Sequence, residues 1–487
     1  MRAIALRMAM ALTLLVALVV PGLTGPGAPA PEATRGPAVP APSQPSGAAG
    51  VSPSAAPEPD TARPTPPSIP AMAPAATTTA IQPGAVNRTS LAISATYNAY
   101  AYLGYNSRTL NVDSTMVATN RSGVDIDRLE LNTIAARLGN LRLRVATVDG
   151  RAVRVTRSDQ TLIVPLGGIL PAGQSVTVRT AFRSTLRSTL SGSNWMFTRA
   201  NGIVNAYRWL PWISLRRQFN RPNHGDPFVT PVSPEVRVRI RTDRPLTLAT
   251  SGTRIAFDGT TKTFLAHNVR DFTLTAASYR NRAVVVGDNV VRVFYRPGAP
   301  STAMLTAGRR ALARMETLVG AYPYREFKVV QSAGGYGMES PGLIWIPTGA
   351  ANLTYLVHHE TAHQWFYSLV GNDQAREPFS DEAAADFLAR FALGLRRASR
   401  CATARLDLSI YAYSSACYYE VVYIQGGNFL DDLRRRMGGT AFWRALRAYI
   451  AAHRFGLAPT KSLLDTLDAH TSLNLAPTFA RRFPRLY

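Results

Sequence analysis

The residues best placed to do chemistry together lie in the run Val357-His358-His359-Glu360-Thr361-Ala362-His363-Gln364-Trp365. At about 3.6 residues per helical turn, His359 and His363 stand one above the other on one face, so both imidazoles can reach one ion. Glu360 is turned by roughly 100° from His359, near enough to touch a water on that ion without ligating it. A zinc ion that works on substrate wants three protein ligands and an open position. Glu382 is the candidate third ligand: eighteen residues separate it from His363, and Gly371, Asn372, Asp373 and Pro378 supply a loop that returns a second helix to the histidine face. Asp386, one turn beyond Glu382, can hold the free N–H of a ligand imidazole; the other reading is an ordinary solvated helix aspartate. The expected cofactor is a single Zn2+, with Glu360 as general base.

H-E-x-x-H, eighteen residues, then Glu resembles the signature of the gluzincin zinc metallopeptidases typified by aminopeptidase N and leukotriene-A hydrolase. His363-Gln364-Trp365 agrees with that family's H-Q-W. Upstream, Gly334-Gly335-Tyr336-Gly337-Met338-Glu339-Ser340 is similar to its G-x-M-E-N segment, with Tyr336 for the first Gly and Ser340 for the usual Asn. The resemblance implies an edge strand on which the substrate backbone lies, lined by Gly337, Met338 and Glu339, with Glu339 pairing with the substrate's α-ammonium. Tyr423-Ile424-Gln425-Gly426-Gly427 is similar to the family's Y-x-K-G-A element, which implies Tyr423 as the oxyanion donor. Tyr413, Tyr418 and Tyr419 are neighbouring alternatives. Asn201-Gly202-Ile203-Val204-Asn205 occupies the place of the family's second amine anchor and carries no carboxylate. The resemblance also implies a short form without the large C-terminal domain of bigger members.

These residues need a scaffold, and the pattern supplies two kinds. Across 85–280 short alternating runs such as Ser175-Val176-Thr177-Val178-Arg179 and Val236-Arg237-Val238-Arg239-Ile240 predict an antiparallel β-rich domain. Across 281–487 the pattern turns helical. It predicts a helix over 303–318, strands at 327–330 and 343–346, and helices over 355–370, 381–395, 418–436, 440–452 and 460–470. The fold class is therefore α+β and multidomain; the resemblance implies that the second domain is a thermolysin-like zinc peptidase domain.

Ahead of both, residues 1–24 have the charged start and short apolar core of a signal peptide or N-terminal anchor. Residues 25–84, rich in Pro and Ala, read as a disordered linker. An exported, extracellular or envelope-associated protein is expected, with membrane association only through the N-terminal segment. The chain carries 54 Lys+Arg against 30 Asp+Glu, for a net charge of +24. The cations are nearly all scattered arginines, which fits a solvated surface and no specific nucleic-acid partner. Cys401 and Cys417 have no further ligands at metal-binding spacing, and a disulfide between them is left open.

The expected function is zinc-dependent hydrolysis of peptide substrates, from the N-terminus if Glu339 holds the amine. The alternatives are an endopeptidase or other amide hydrolase on the same site, or a non-catalytic polyanion-binding envelope protein.

Overall fold

The structure, a computed structural model, describes residues 80–487. The expected leader and most of the expected linker lie outside the described residues. Ordered pairing starts slightly before residue 85, because Gln82 and Ile169 exchange both backbone hydrogen bonds at 2.8 Å.

Alternation of apolar and polar side chains builds the first part. In the strand Ser175–Thr185 the side chains of Val176, Val178 and Phe182 are buried while Arg179 and Arg183 face out, the period-two pattern of a sheet with one wet face. It belongs to an eight-stranded sheet in the order Thr253–Phe257, Thr261–Val269, Ser233–Thr242, Ile93–Gly104, Thr109–Asn120, Ser175–Thr185, Arg142–Val148 and Arg151–Ala152. The expectation of a purely antiparallel domain is corrected at one place: Ile93–Gly104 runs parallel to Ser233–Thr242, with Tyr97 opposite Val236. Hairpins force antiparallel neighbours, but these two strands are joined through a long stretch that builds one four-stranded sheet and two strands of another on the way, so their direction is free.

The second part opens with a five-stranded mixed sheet, in the order Arg280–Val286, Asn289–Tyr295, Glu326–Ser332, Leu343–Pro347 and Met338–Ser340. The hairpin that starts it is invisible to alternation, because Arg280–Val286 is exposed along most of its length. The helix Ser301–Val319 packs on this sheet. At Gly308 a Cβ would come within 2.9 Å of Val329 and 3.3 Å of Val291, so glycine sets the closeness of helix and sheet.

The helices that follow are Leu353–Ala362, Ala384–Leu393, Gly426–Met437, Gly439–Ala452, Thr460–Asp468 and Ala476–Arg482. Three are shorter by a turn or more than their periodicity predicts. The first stops at His363 because the next bonds span five residues, as in Ser368 N–H to His363 C=O at 2.8 Å, and because Tyr367 takes φ 149°. The other two begin as π-helical turns, Phe379–Ala383 and Tyr419–Gln425. Cys401 and Cys417 form a disulfide, closing the loop that leads into the second turn.

Candidate metal centre

The helix Leu353–Ala362 carries His359 in its last turn and hands over to His363 at its C-cap. His359 Nε2 and His363 Nε2 lie 3.2 Å apart. Glu382 Oε2, from the π-helical turn, lies 3.3 Å from His359 Nε2 and 3.5 Å from His363 Nε2. All three residues are buried, and Glu382 Oε2 has no hydrogen-bond partner. Zinc bonds of about 2.0–2.2 Å in a tetrahedral set place their donor atoms roughly 3.3–3.5 Å apart, so this triangle fits the ion. Burial alone would raise the Glu382 carboxyl, but the two imidazoles outweigh it and hold the group well below its ordinary value.

His363 is oriented from behind. Its Nδ1–H donates to Asp381 Oδ1 at 2.7 Å and lies 3.1 Å from Phe366 O, which turns Nε2 toward the centre. Burial disfavours a charge on this ring, and the Asp381 carboxylate more than offsets that, raising the pKa. Asp386, expected in this role, is elsewhere: its oxygens take the Tyr355 hydroxyl and the Arg390 guanidinium. It is also fully buried rather than solvated. Adjacency to Glu382 was the available signal for Asp381. One-turn spacing pointed to Asp386 instead, but Arg390, itself one turn further on, claims that carboxylate.

Glu360 lies against the backbone of the Gly-rich segment. A Cβ on Gly337 would come within 2.1 Å of Glu360 Oε1, so only glycine admits the carboxylate there. Burial pushes Glu360 up to about 7, with His359 and His363 pulling it down and Glu382 and Asp381 adding to the rise. Met338–Ser340 is the outermost strand of its sheet, paired on one side only, with Glu339 opposite Ile344. Carboxylate oxygens of Glu339 and Glu360 and a ring nitrogen of His363 all fall within 4.8 Å of one another.

Residues that sequence reasoning missed hold this set together. Gln374 Nε2 donates to Glu339 Oε1 at 3.0 Å and to Asp381 Oδ2 at 2.7 Å. Arg208, from the β-rich part, donates to Gln374 Oε1 at 3.3 Å and to Tyr367 Oη at 2.6 Å. A guanidinium only donates, so this contact fixes which end of the Gln374 amide faces the two carboxylates.

The tyrosines separate by contact. Tyr423 stacks on His359 with ring centres 5.5 Å apart and lies beside Glu382, which together with burial raises its pKa. Tyr413 spends its hydroxyl on Arg405 O, and Tyr419 is 37% exposed. Tyr418 is buried 5.9 Å from Tyr423 with its hydroxyl unpaired. Asn205 is committed to structure, donating to Trp195 O at 2.8 Å and accepting from Ala333 N–H at 3.2 Å.

No family model matches the chain. Solved structures do. A mutant of the M1 zinc metallopeptidase from Deinococcus radiodurans superposes with a TM-score of 0.64 and 19% identity, over 82% of this chain and 96% of that one. The same mutant enzyme bound to a Tyr-Ser-Ala substrate gives 0.63 at 19% identity, over 82% and 95%. A two-domain M1 zinc metallopeptidase mutant bound to L-tryptophan gives 0.60 at 20%, over 80% and 93%. With its β-rich first part, its helical second part and this centre between two helices, the chain has the fold of the two-domain M1 zinc metallopeptidases.

Proposed function

We propose that the protein is an exported zinc peptidase that removes residues from the free N-termini of peptides, on a thermolysin-like helical domain that follows the β-rich one. The convergence of His359 Nε2, His363 Nε2 and Glu382 Oε2 to 3.2–3.5 Å carries the reading. Solved neighbours holding a tripeptide, L-tryptophan or L-arginine support the substrate class.

When bound, zinc supplies a Lewis acid and a water whose pKa is near 7. Around it, Glu360 takes the proton of the attacking water and returns it to the leaving amine, a task suited to a carboxyl already raised toward neutrality. Tyr423 donates to the oxygen that becomes negative. The free edge of Met338–Ser340 receives the substrate backbone as an added strand, and Glu339 binds the α-ammonium. Export rests on the charged and apolar leader, and the Cys401–Cys417 disulfide is compatible with an oxidising compartment. No helix among the described residues is long and apolar enough to cross a membrane.

A second reading, a zinc endopeptidase, is favoured by one observation: Asn205 stands where an amine anchor is expected and is fully occupied. Aminoacyl-arylamides with free and acetylated N-termini separate the two. Glu360→Gln should keep zinc and lose about a hundredfold or more in kcat; wild-type turnover by that variant with zinc bound would overturn the mechanism.

A further inference from the structure

Among the described residues ten other than glycine have a positive φ, and only Arg208 at 40° and Tyr367 at 149° are also buried. Side chains there are strained, and such residues persist only where their surroundings hold them. These two hold each other. Arg208 Nη2 donates to Tyr367 Oη at 2.6 Å, and the guanidiniums of Arg208 and Arg270 lie 5.3 and 5.9 Å from the centre of the Tyr367 ring. Glycine would take the Tyr367 backbone without strain, so what tyrosine adds at this position is its side chain.

The hydroxyl works in one direction. A guanidinium only donates, so Tyr367 Oη accepts from Arg208 and its single proton goes to Asp271 Oδ2. Asp271 lies in the loop between the strands Thr261–Val269 and Leu274–Ala277. Its other oxygen accepts from the Ser340 hydroxyl and, at 3.3 Å, from Thr273 Oγ1. Ser340 ends the edge strand Met338–Ser340, and its carbonyl accepts from Gln364 Nε2 at 3.0 Å, next to the ligand His363. On the other side Arg208 reaches Gln374, and Gln374 reaches Glu339 and Asp381. The contacts therefore run from Ser340 through Asp271, Tyr367, Arg208 and Gln374 to Glu339, and the peptide bond closes the circuit. Every member is buried, and a buried circuit of this kind rigidifies what it holds. Asp271 and Arg208 share no ion pair among the described residues, so Tyr367 Oη is the link between them.

We propose that Tyr367 is a positioning residue, whose hydroxyl ties the β-rich part to the edge strand and keeps Met338–Ser340 fixed against the metal centre for a peptide laid along it. The inference rests on the zinc peptidase reading and extends it to substrate length. Ligands that use the strand's backbone depend on Tyr367, and ligands that reach only the metal do not.

The test uses the full zinc-loaded protein carrying Glu360→Gln to stop turnover, alone and with Tyr367→Phe, Asp271→Asn or both. Calorimetric titration with a tripeptide and with an amino-acid amide reads binding. Tyr367→Phe should weaken the tripeptide about tenfold and the amide less than about threefold, with zinc content unchanged. The double variant should bind the tripeptide within about twofold of the weaker single variant, because both changes remove one contact. With Glu360 in place, Tyr367→Phe should raise the tripeptide KM and leave kcat and aminoacyl-arylamide hydrolysis nearly unchanged. Unchanged tripeptide affinity in Tyr367→Phe, equal losses for both ligands, or additive losses in the double variant would each overturn the inference. The expected binding pattern without hydrolysis of any peptide or arylamide by wild type would overturn the peptidase reading and leave the positioning role standing. A parent protein that binds no tripeptide would overturn both.

Discussion

His363 and Asp381 face one another at 2.7 Å, ring N–H to carboxylate, with both side chains buried. The contact joins the two helical segments on which the metal centre depends, since His363 ends one and Asp381 sits in the turn that begins the other. Gln374 extends it sideways, linking Asp381 to Glu339. The ligand set and the proposed amine site thus share a single amide.

Asp381→Asn should weaken zinc binding by about ten- to a hundredfold, the usual cost of losing the carboxylate behind a ligand imidazole. Competition with a chromophoric chelator would show it. Asp386→Asn should leave zinc affinity within a fewfold of wild type and lower thermal stability, because that carboxylate serves Tyr355 and Arg390.

Gly337→Ala should separate metal binding from turnover. The added methyl needs the space of Glu360 Oε1, so the carboxylate must move while the three ligands stay. We expect kcat to fall about a hundredfold with zinc stoichiometry unchanged. Loss of zinc in proportion to activity would contradict this.

Tyr423→Phe should reduce kcat by about a hundredfold, with little change in KM, if its hydroxyl meets the oxyanion. Tyr418→Phe should cost less than about tenfold. Steady-state kinetics on one arylamide distinguishes the pair, and the reverse order would move the role to Tyr418.

The metal-free protein should become less stable as pH rises from about 4 to about 7. Burial raises Glu360 from 4.5 and Asp226 from 3.8, each to about 7. In that window the folded state holds protons the unfolded chain has released, so the stability these groups contribute is full below the window and lost through it. Zinc favours the ionised forms, so its addition should raise Tm more at about pH 7.5 than at about pH 5. Scanning fluorimetry with and without the metal reads the difference, and an equal gain at both values would contradict it.

What sequence reasoning reached, it reached through spacing. His359, His363, Glu360 and Glu382 obey helical periodicity and a loop count, and Glu339 and Tyr423 came with the motifs around them. What it missed depends on tertiary approach. Arg208 and Asp271 lie in the β-rich part, remote in sequence from every motif, and Gln374 sits in a connecting loop with no periodicity to read. One-turn spacing from Glu382 points to Asp386 because that spacing is legible in sequence, whereas the claim of Arg390 on its carboxylate is not. The exposed strand Arg280–Val286 lacks a buried face and leaves no alternation to read, whereas strands such as Ser175–Thr185, wet on one side only, show in theirs.

Glu382 and Tyr423 both ride on π-helical turns, which meet where Gly426 would set a Cβ only 2.6 Å from that of Ala383. Such a turn holds one residue more than an ordinary one. Deleting that residue would restore a regular helix and rotate all that follows by about 100°, with every amino-acid type otherwise unchanged. A homologue one residue shorter in either turn would still spell much of the motif yet aim another side chain at the ion. Competence here is written partly as chain length, so insertions and deletions within 379–383 and 419–425 should be weighed as heavily as substitutions when descendants of this fold are sorted into active and silent lineages.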